Sequence, residues 1–134
     1  MPLGRRHALA MGASAMAAAW LAPRVIAQGT SPMYGLIGKM LATPGNRDTL
    51  VGLLLEGTSQ MPGCLSYVIA IDPADPTAIW ITEAWDSADS HAASLKLPAV
   101  QQTIARARPL IAGFGERFVT TPVGGHGLIA GRPQ

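Results

Sequence analysis

Apolar residues recur along this chain with two periods, one of two residues and one near 3.6, and the switches between them mark out its elements. Tyr34 to Ala42 mixes apolar side chains with Gly35 and Gly38 and reads as a strand. Thr43-Pro44-Gly45 ends it, with Thr43 expected as a helix N-cap. Over residues 46–60, Leu50, Leu53 and Leu54, then Gly57 and Met61, follow at helical spacing until Met61-Pro62-Gly63 stops the helix. Cys64 to Ile71 alternates, with Leu65, Tyr67, Ile69 and Ile71 on one face, and Ala78 to Trp85 alternates again. The turn-rich Asp72-Pro73-Ala74-Asp75-Pro76 between them makes a hairpin. Asp86-Ser87 supplies the next N-cap, for a helix through His91, Ser94 and Leu95 that Leu97-Pro98 breaks. It resumes along Val100, Ile104, Ala107 and Ile111, with a kink expected at Pro109 and a stop at Gly113-Phe114-Gly115. Residues 116–121 read as the last strand, and the glycine- and proline-rich residues 123–134 as a tail.

Strand, helix, strand, strand, helix, strand is the split βαβ pattern of an α+β fold: a ferredoxin-like antiparallel sheet with its helices on one face, over residues 33–122. Such a sheet leaves its second face bare. Here the hairpin is apolar on both sides, with Ile79 and Ile81 on one and Trp80 and Ala84 on the other. The helix-free side must also be buried, most simply against a second copy, so a homodimer is expected.

Charge changes the picture at the N-terminus. The chain of 134 residues carries ten basic and eight acidic side chains, a formal net charge of +2. Arg5, Arg6 and Arg24 lie within the first 27 residues, where there is no acid; beyond them seven basic residues face eight acidic ones, a net charge of −1. Nucleic acid is therefore not an expected partner, nor is an anionic membrane. A positive start, a modestly apolar middle and Val25-Ile26-Ala27 have the form of a secretory signal, with cleavage after Ala27 and a periplasmic or extracellular destination. The paired arginines and alanine-rich middle resemble a twin-arginine signal, although Gly4 stands where Ser or Thr is usual. The alternatives are a retained N-terminal helix and a start at Met33. Residues 8–21 are too short and too rich in alanine for a stable membrane anchor. Cys64 is the only cysteine, so no internal disulfide is available.

Three blocks, Pro62-Gly63-Cys64-Leu65-Ser66-Tyr67, Asp72-Pro73-Ala74-Asp75-Pro76 and Glu83-Ala84-Trp85-Asp86-Ser87, follow in that order within the βαββαβ pattern. In this context they resemble the antibiotic biosynthesis monooxygenase superfamily, particularly its quinol-monooxygenase-like members. The resemblance implies a dimeric α+β barrel with a pocket in each subunit between sheet and helices. It implies oxidation of a small quinol or polyphenol by O₂ with no cofactor: the bound phenol loses a proton, its anion passes an electron to O₂, and the radical pair recombines. Haem-degrading members rely on an asparagine in the first strand, and residues 34–42 contain none. The alternative on the same scaffold is a non-catalytic binder of small molecules.

The resemblance makes Trp85 a pocket wall; a core tryptophan at a strand end is the competing reading. Glu83 lies on the same strand face, free to orient a substrate hydroxyl or a histidine, or else to pair with Arg106 or Arg108. His91 is the candidate base, or else a solvent-facing residue of the helix's first turn. The family's pocket histidine falls at Ser94 here, which puts Ser94 at the substrate and is the mark of lost chemistry under the binder reading. Tyr67 and Tyr34 would offer hydroxyls to a phenolic ligand, or else serve as core aromatics. His126, in Gly124-Gly125-His126-Gly127, would reach a pocket only if the tail folds over one. Cys64 reads as a small buried hydrophobe. No nucleophile elbow, phosphate loop or metal-ligand spacing is present, so no metal is expected.

Overall fold

The computed structural model describes residues 31–128; the export segment expected over residues 1–27, and residues 129–134 of the expected tail, lie outside them. The described elements are β1 (Tyr34–Ala42), α1 (Arg47–Gly57), β2 (Cys64–Ile71), β3 (Ala78–Trp85), α2 (Ala88–Ser94), α3 (Pro98–Ala107) and β4 (Ile111–Thr120). The strands pair antiparallel in the order β2-β3-β1-β4, the ferredoxin-like arrangement expected from the pattern.

Register sorts the side chains into rungs that cross all four strands. On the helix-bearing face run Ile71–Ile79–Met40–Phe114, then Ile69–Ile81–Gly38–Arg117, then Tyr67–Glu83–Leu36–Val119. The opposite face carries Val68–Thr82–Ile37–Phe118. Lys39 faces two β4 residues, Gly115 and Glu116, a bulge that keeps the rungs on either side in phase.

The core forms where α1 and α3 lie on the first face. Leu50 and Leu54 from α1 and Ala107 at the end of α3 pack with Ile79, Ile81 and Ala42. Gly57 closes α1 directly against Thr103 of α3, with no room for a Cβ, so the two helices approach closely. Burying a leucine of this kind contributes about 2 kcal/mol, and core side chains here also satisfy the sheet's demand for cover.

Two contacts fix the ends of the hairpin. At the β2–β3 connection, Arg47 Nη1 donates to the carbonyls of Asp72 at 3.1 Å and Asp75 at 2.7 Å, tying the first turn of α1 to the loop. Within that loop Asp72 Oδ1 accepts from the Ala74 N–H and Asp75 Oδ1 from the Thr77 N–H, and those donors hold both carboxyls below their ordinary range. At the other end, Gly63 sits at φ 82°, and its missing Cβ leaves space for Ser90 of α2 and for Asp86. Its carbonyl accepts the Asp86 N–H at 2.9 Å. Only glycine meets both demands without strain.

Several expectations are corrected. Asn46, not Thr43, stands at the N-cap of α1; its Nδ2 donates to Thr43 Oγ1 at 2.8 Å instead of the cap being made at Thr43 itself. Ser87 does cap α2, accepting from the Ser90 N–H at 3.1 Å. Pro109 does not kink a continuing helix. α3 ends at Ala107, Arg108–Leu110 make one 3₁₀ turn, and Ile111 already belongs to β4. Gly113-Phe114-Gly115 is therefore strand, not a helix stop. Among the described residues no helix is long and apolar enough to cross a membrane.

Candidate functional site

β3 delivers two side chains to one face by its period of two: Glu83 and, at the strand's end, Trp85. Trp85 is 1% exposed, a core residue rather than the pocket wall the resemblance implied. Its indole is not inert filling, because Nε1 donates to Glu83 Oε2 at 2.8 Å. The Ser87 cap then starts α2 so that its first full turn brings His91 over the same carboxylate, with Nε2 3.8 Å from Oε2. The imidazole is wedged between two rings: Tyr34 with centroids 5.2 Å apart, and Trp85 edge-on at 5.4 Å. Glu83 and His91 side chains are 15% and 17% exposed, so His91 is not the solvent-facing first-turn residue of the alternative expectation. Arg106 pairs with Glu56 at 3.9 Å and plays no part at Glu83.

On the other side of Glu83 the sheet is uncovered. A cavity of about 280 Å³ opens there, with Leu36, Gly38, Tyr67, Ile81, Glu83 and Arg117 among its lining. The volume suits one ring system. Gly38 is its floor: a Cβ built there meets no atom within 4 Å. Glu83 and Tyr67, neighbours across the β2–β3 ladder, both border it. Burial first, and the Glu83 charge second, push the Tyr67 phenol well above its ordinary value. At neutral pH Tyr67 is thus a proton-bearing donor, unsuited to act as base. Burial likewise raises the Cys64 thiol, with Glu83 adding to the effect; it is half-buried, and its Sγ donates to the Ser66 carbonyl at 3.6 Å.

The fold thus gathers Tyr34, Tyr67, Glu83, Trp85 and His91, five of the residues singled out in the sequence. Two others it leaves aside. Ser94 is buried, and its hydroxyl donates to the His91 carbonyl at 2.6 Å, so its proton belongs to the helix and not to a ligand. His126 lies exposed among Gly124, Gly125 and Gly127, all at positive φ, and makes no contact with the Glu83 cluster among the described residues. Arg117, Gly38 and Leu36 border the cavity without having been singled out. Only cross-strand register, which pairs Gly38 with Arg117 and Leu36 with Glu83, exposes their place. No cluster of three potential metal ligands occurs among the described residues.

The sequence profile of a family described as "Antibiotic biosynthesis monooxygenase" matches residues 33–106. This chain belongs to that family. A crystal structure of a candidate antibiotic biosynthesis monooxygenase from Chloroflexus aurantiacus J-10-fl is 68% identical, covering 72% of this chain and 98% of its own, with a TM-score of 0.70. Structures from Caulobacter crescentus CB15 (17% identity, TM-score 0.64, 71% and 93% covered) and Nitrosomonas europaea (16%, 0.62, 69% and 92%) share the fold of this antibiotic biosynthesis monooxygenase family member. No curated protein matches it. Membership places the chain in a family named for oxidoreductases that use oxygen.

The raised Tyr67 value has a measurable consequence. A phenol that resists ionisation in the fold contributes stability that is intact below the unfolded value near 10 and is lost as pH rises from there. Urea unfolding at pH 8 and pH 10.5 is expected to show wild type losing more stability over that interval than Tyr67→Phe. Equal losses in the two proteins would remove the assignment of a buried, unionised Tyr67.

Proposed function

We propose that this protein is a monooxygenase that oxidises a small quinol or polyphenol with O₂, with Glu83 taking the phenolic proton. The observation that carries the reading is the position of Glu83: a carboxylate fixed by the Trp85 N–H, with its imidazole neighbour behind it and an apolar cavity in front. The roles assigned from the sequence are exchanged for this reason. His91 does not border the cavity, so it acts on Glu83 as positioning partner, and Glu83 faces the ligand.

The stoichiometry closes without a further reductant. A hydroquinone and O₂ give a hydroxyquinone and water: four electrons leave the ring, one oxygen atom enters it and the other departs as water. The protein's tasks are to remove the first proton, hold the ring and exclude bulk water. Tyr67 donates a hydrogen bond to the oxygen that Glu83 deprotonates, which favours the electron-rich anion. Leu36 and Ile81 supply the apolar walls.

Oxygen uptake by the purified protein with a panel of hydroquinones and catechols, each set against its own autoxidation, tests this. Uptake above background is expected, with kcat falling by about a hundredfold or more in Glu83→Gln and by less in His91→Ala. Background rates across the panel, together with ligand-dependent thermal stabilisation, would replace the reading by the non-catalytic binder.

The same reading includes a homodimer through the helix-free face. Val68 and Phe118, at opposite ends of the Val68–Thr82–Ile37–Phe118 rung, are each 53% exposed, and a second copy of the rung is apolar in the same way. Sedimentation is expected to give twice the monomer mass, and a shift toward the monomer in Phe118→Asp; a monomeric wild type would refute it. Export is proposed as well, on the residues before Gln28. N-terminal sequencing of protein recovered from the periplasm or medium is expected to begin at Gln28, and an intact Met1 would refute cleavage.

A further inference from the structure

Glu83 and Arg117 stand at opposite corners of the cavity floor. Glu83 lies in the Tyr67–Glu83–Leu36–Val119 rung, and Arg117 in the next rung, two strands away, beside Gly38. Strand spacing and rise put their Cα atoms about 12 Å apart. Both side chains line the same cavity, whose volume suits one ring system between them. Between them lies the open space over Gly38.

The two ends differ in charge. Among the described residues no carboxylate lies within ion-pair distance of Arg117. Glu116 and Lys39 also border the cavity, but they are engaged with each other at 3.9 Å. Lys39 Nζ lies 5.5 Å from the centroid of the Trp80 ring, which belongs to the helix-free face. Arg117 is thus the uncommitted cation of the lining. A guanidinium presents a planar fork of donors that matches a carboxylate in two parallel hydrogen bonds.

We propose that the substrate is a hydroxylated aromatic acid, with its carboxylate on Arg117 and the hydroxyl across the ring at Glu83. This rests on the reading of the cavity as the substrate site and adds what selects and orients the ligand there. A neutral quinol would lie in the cavity either way round. A carboxylate removes one orientation, since the Glu83 carboxylate repels it from its own end while Arg117 draws it to the other. The hydroxyl is then presented to Glu83 and Tyr67 without any further contact.

Anaerobic calorimetric titration separates this recognition from the chemistry. The probes are 3,4-dihydroxybenzoate and its neutral counterpart, 3,4-dihydroxybenzyl alcohol. Wild type is expected to bind the acid about fivefold more tightly, the size of a partly exposed ion pair. The preference should shrink as salt is added, vanish in Arg117→Gln and persist in part in Arg117→Lys. Measurable binding of the alcohol to Arg117→Gln reports that the variant is folded with an intact cavity. Equal affinity for the two ligands in wild type, or a preference that survives Arg117→Gln or high salt, overturns the proposal. Oxygen uptake reports on the other reading: a carboxylate preference with no uptake refutes the oxidation alone, and uptake with no preference refutes the role of Arg117 alone.

Discussion

A carboxylate on the covered face of a sheet has to be supplied with a donor, and in this protein the supply comes from two residues along the same strand. Trp85 is among the most deeply buried core residues, yet its N–H ends on Glu83. Leaving a half-buried carboxylate without such a bond would cost about 1–3 kcal/mol, which a chain of this size does not spare. Much of the site's arrangement follows from that bond. It fixes the side-chain rotamer and leaves one side of the carboxyl group to the cavity, beside a Tyr67 phenol held protonated first by its burial and second by the Glu83 charge. The tryptophan thereby serves packing and hydrogen bonding through different atoms of one ring.

The cavity itself exists because two helices do not cover a four-stranded sheet. α1 and α3 seal the face over Ile79 and Ile81, and the 3₁₀ turn at Arg108–Leu110 returns the chain to the edge before β4 can be covered. α2, only seven residues long, has little stability of its own. It is held by contacts at its start: the Ser87 cap, the Asp86–Gly63 hydrogen bond, and the Gly63 space into which Ser90 fits. His91 is positioned by this loop-to-loop fit more than by the helix that carries it.

What could be read from the sequence followed from how strictly each segment obeyed one period. The bounds of β1, β2 and β3 were legible to the residue from the apolar pattern and the Asp72–Pro76 turn, whereas the bulge between Cys64 and Ser66 in the hairpin was not. β4 was misjudged at its start. Its Gly113-Phe114-Gly115 resembles a terminator, and its bulge opposite Lys39 interrupts the alternation that would have marked it as strand. The site was half legible in the same way. Glu83 and Trp85 share a face by simple counting, and His91 lies one turn into a capped helix. That the indole would donate to the carboxylate, that Ser94 would spend its proton on its own helix, and that Arg117 would stand beside Gly38 depend on rotamer and long-range pairing. Those are set by tertiary packing and leave no local pattern to find.

Gly38 carries one last consequence. Of the two glycines that line the cavity, Gly38 and Gly115, Gly38 is the one with nothing within 4 Å of where a side chain would begin. Replacing it by alanine would therefore take space between Glu83 and Arg117 without disturbing a packed neighbour. The size of the cavity is thus adjustable at a single residue that lies outside the core cluster. A point change there would shift the fit from one ring to smaller molecules while leaving Glu83, Trp85 and Tyr67 where they stand.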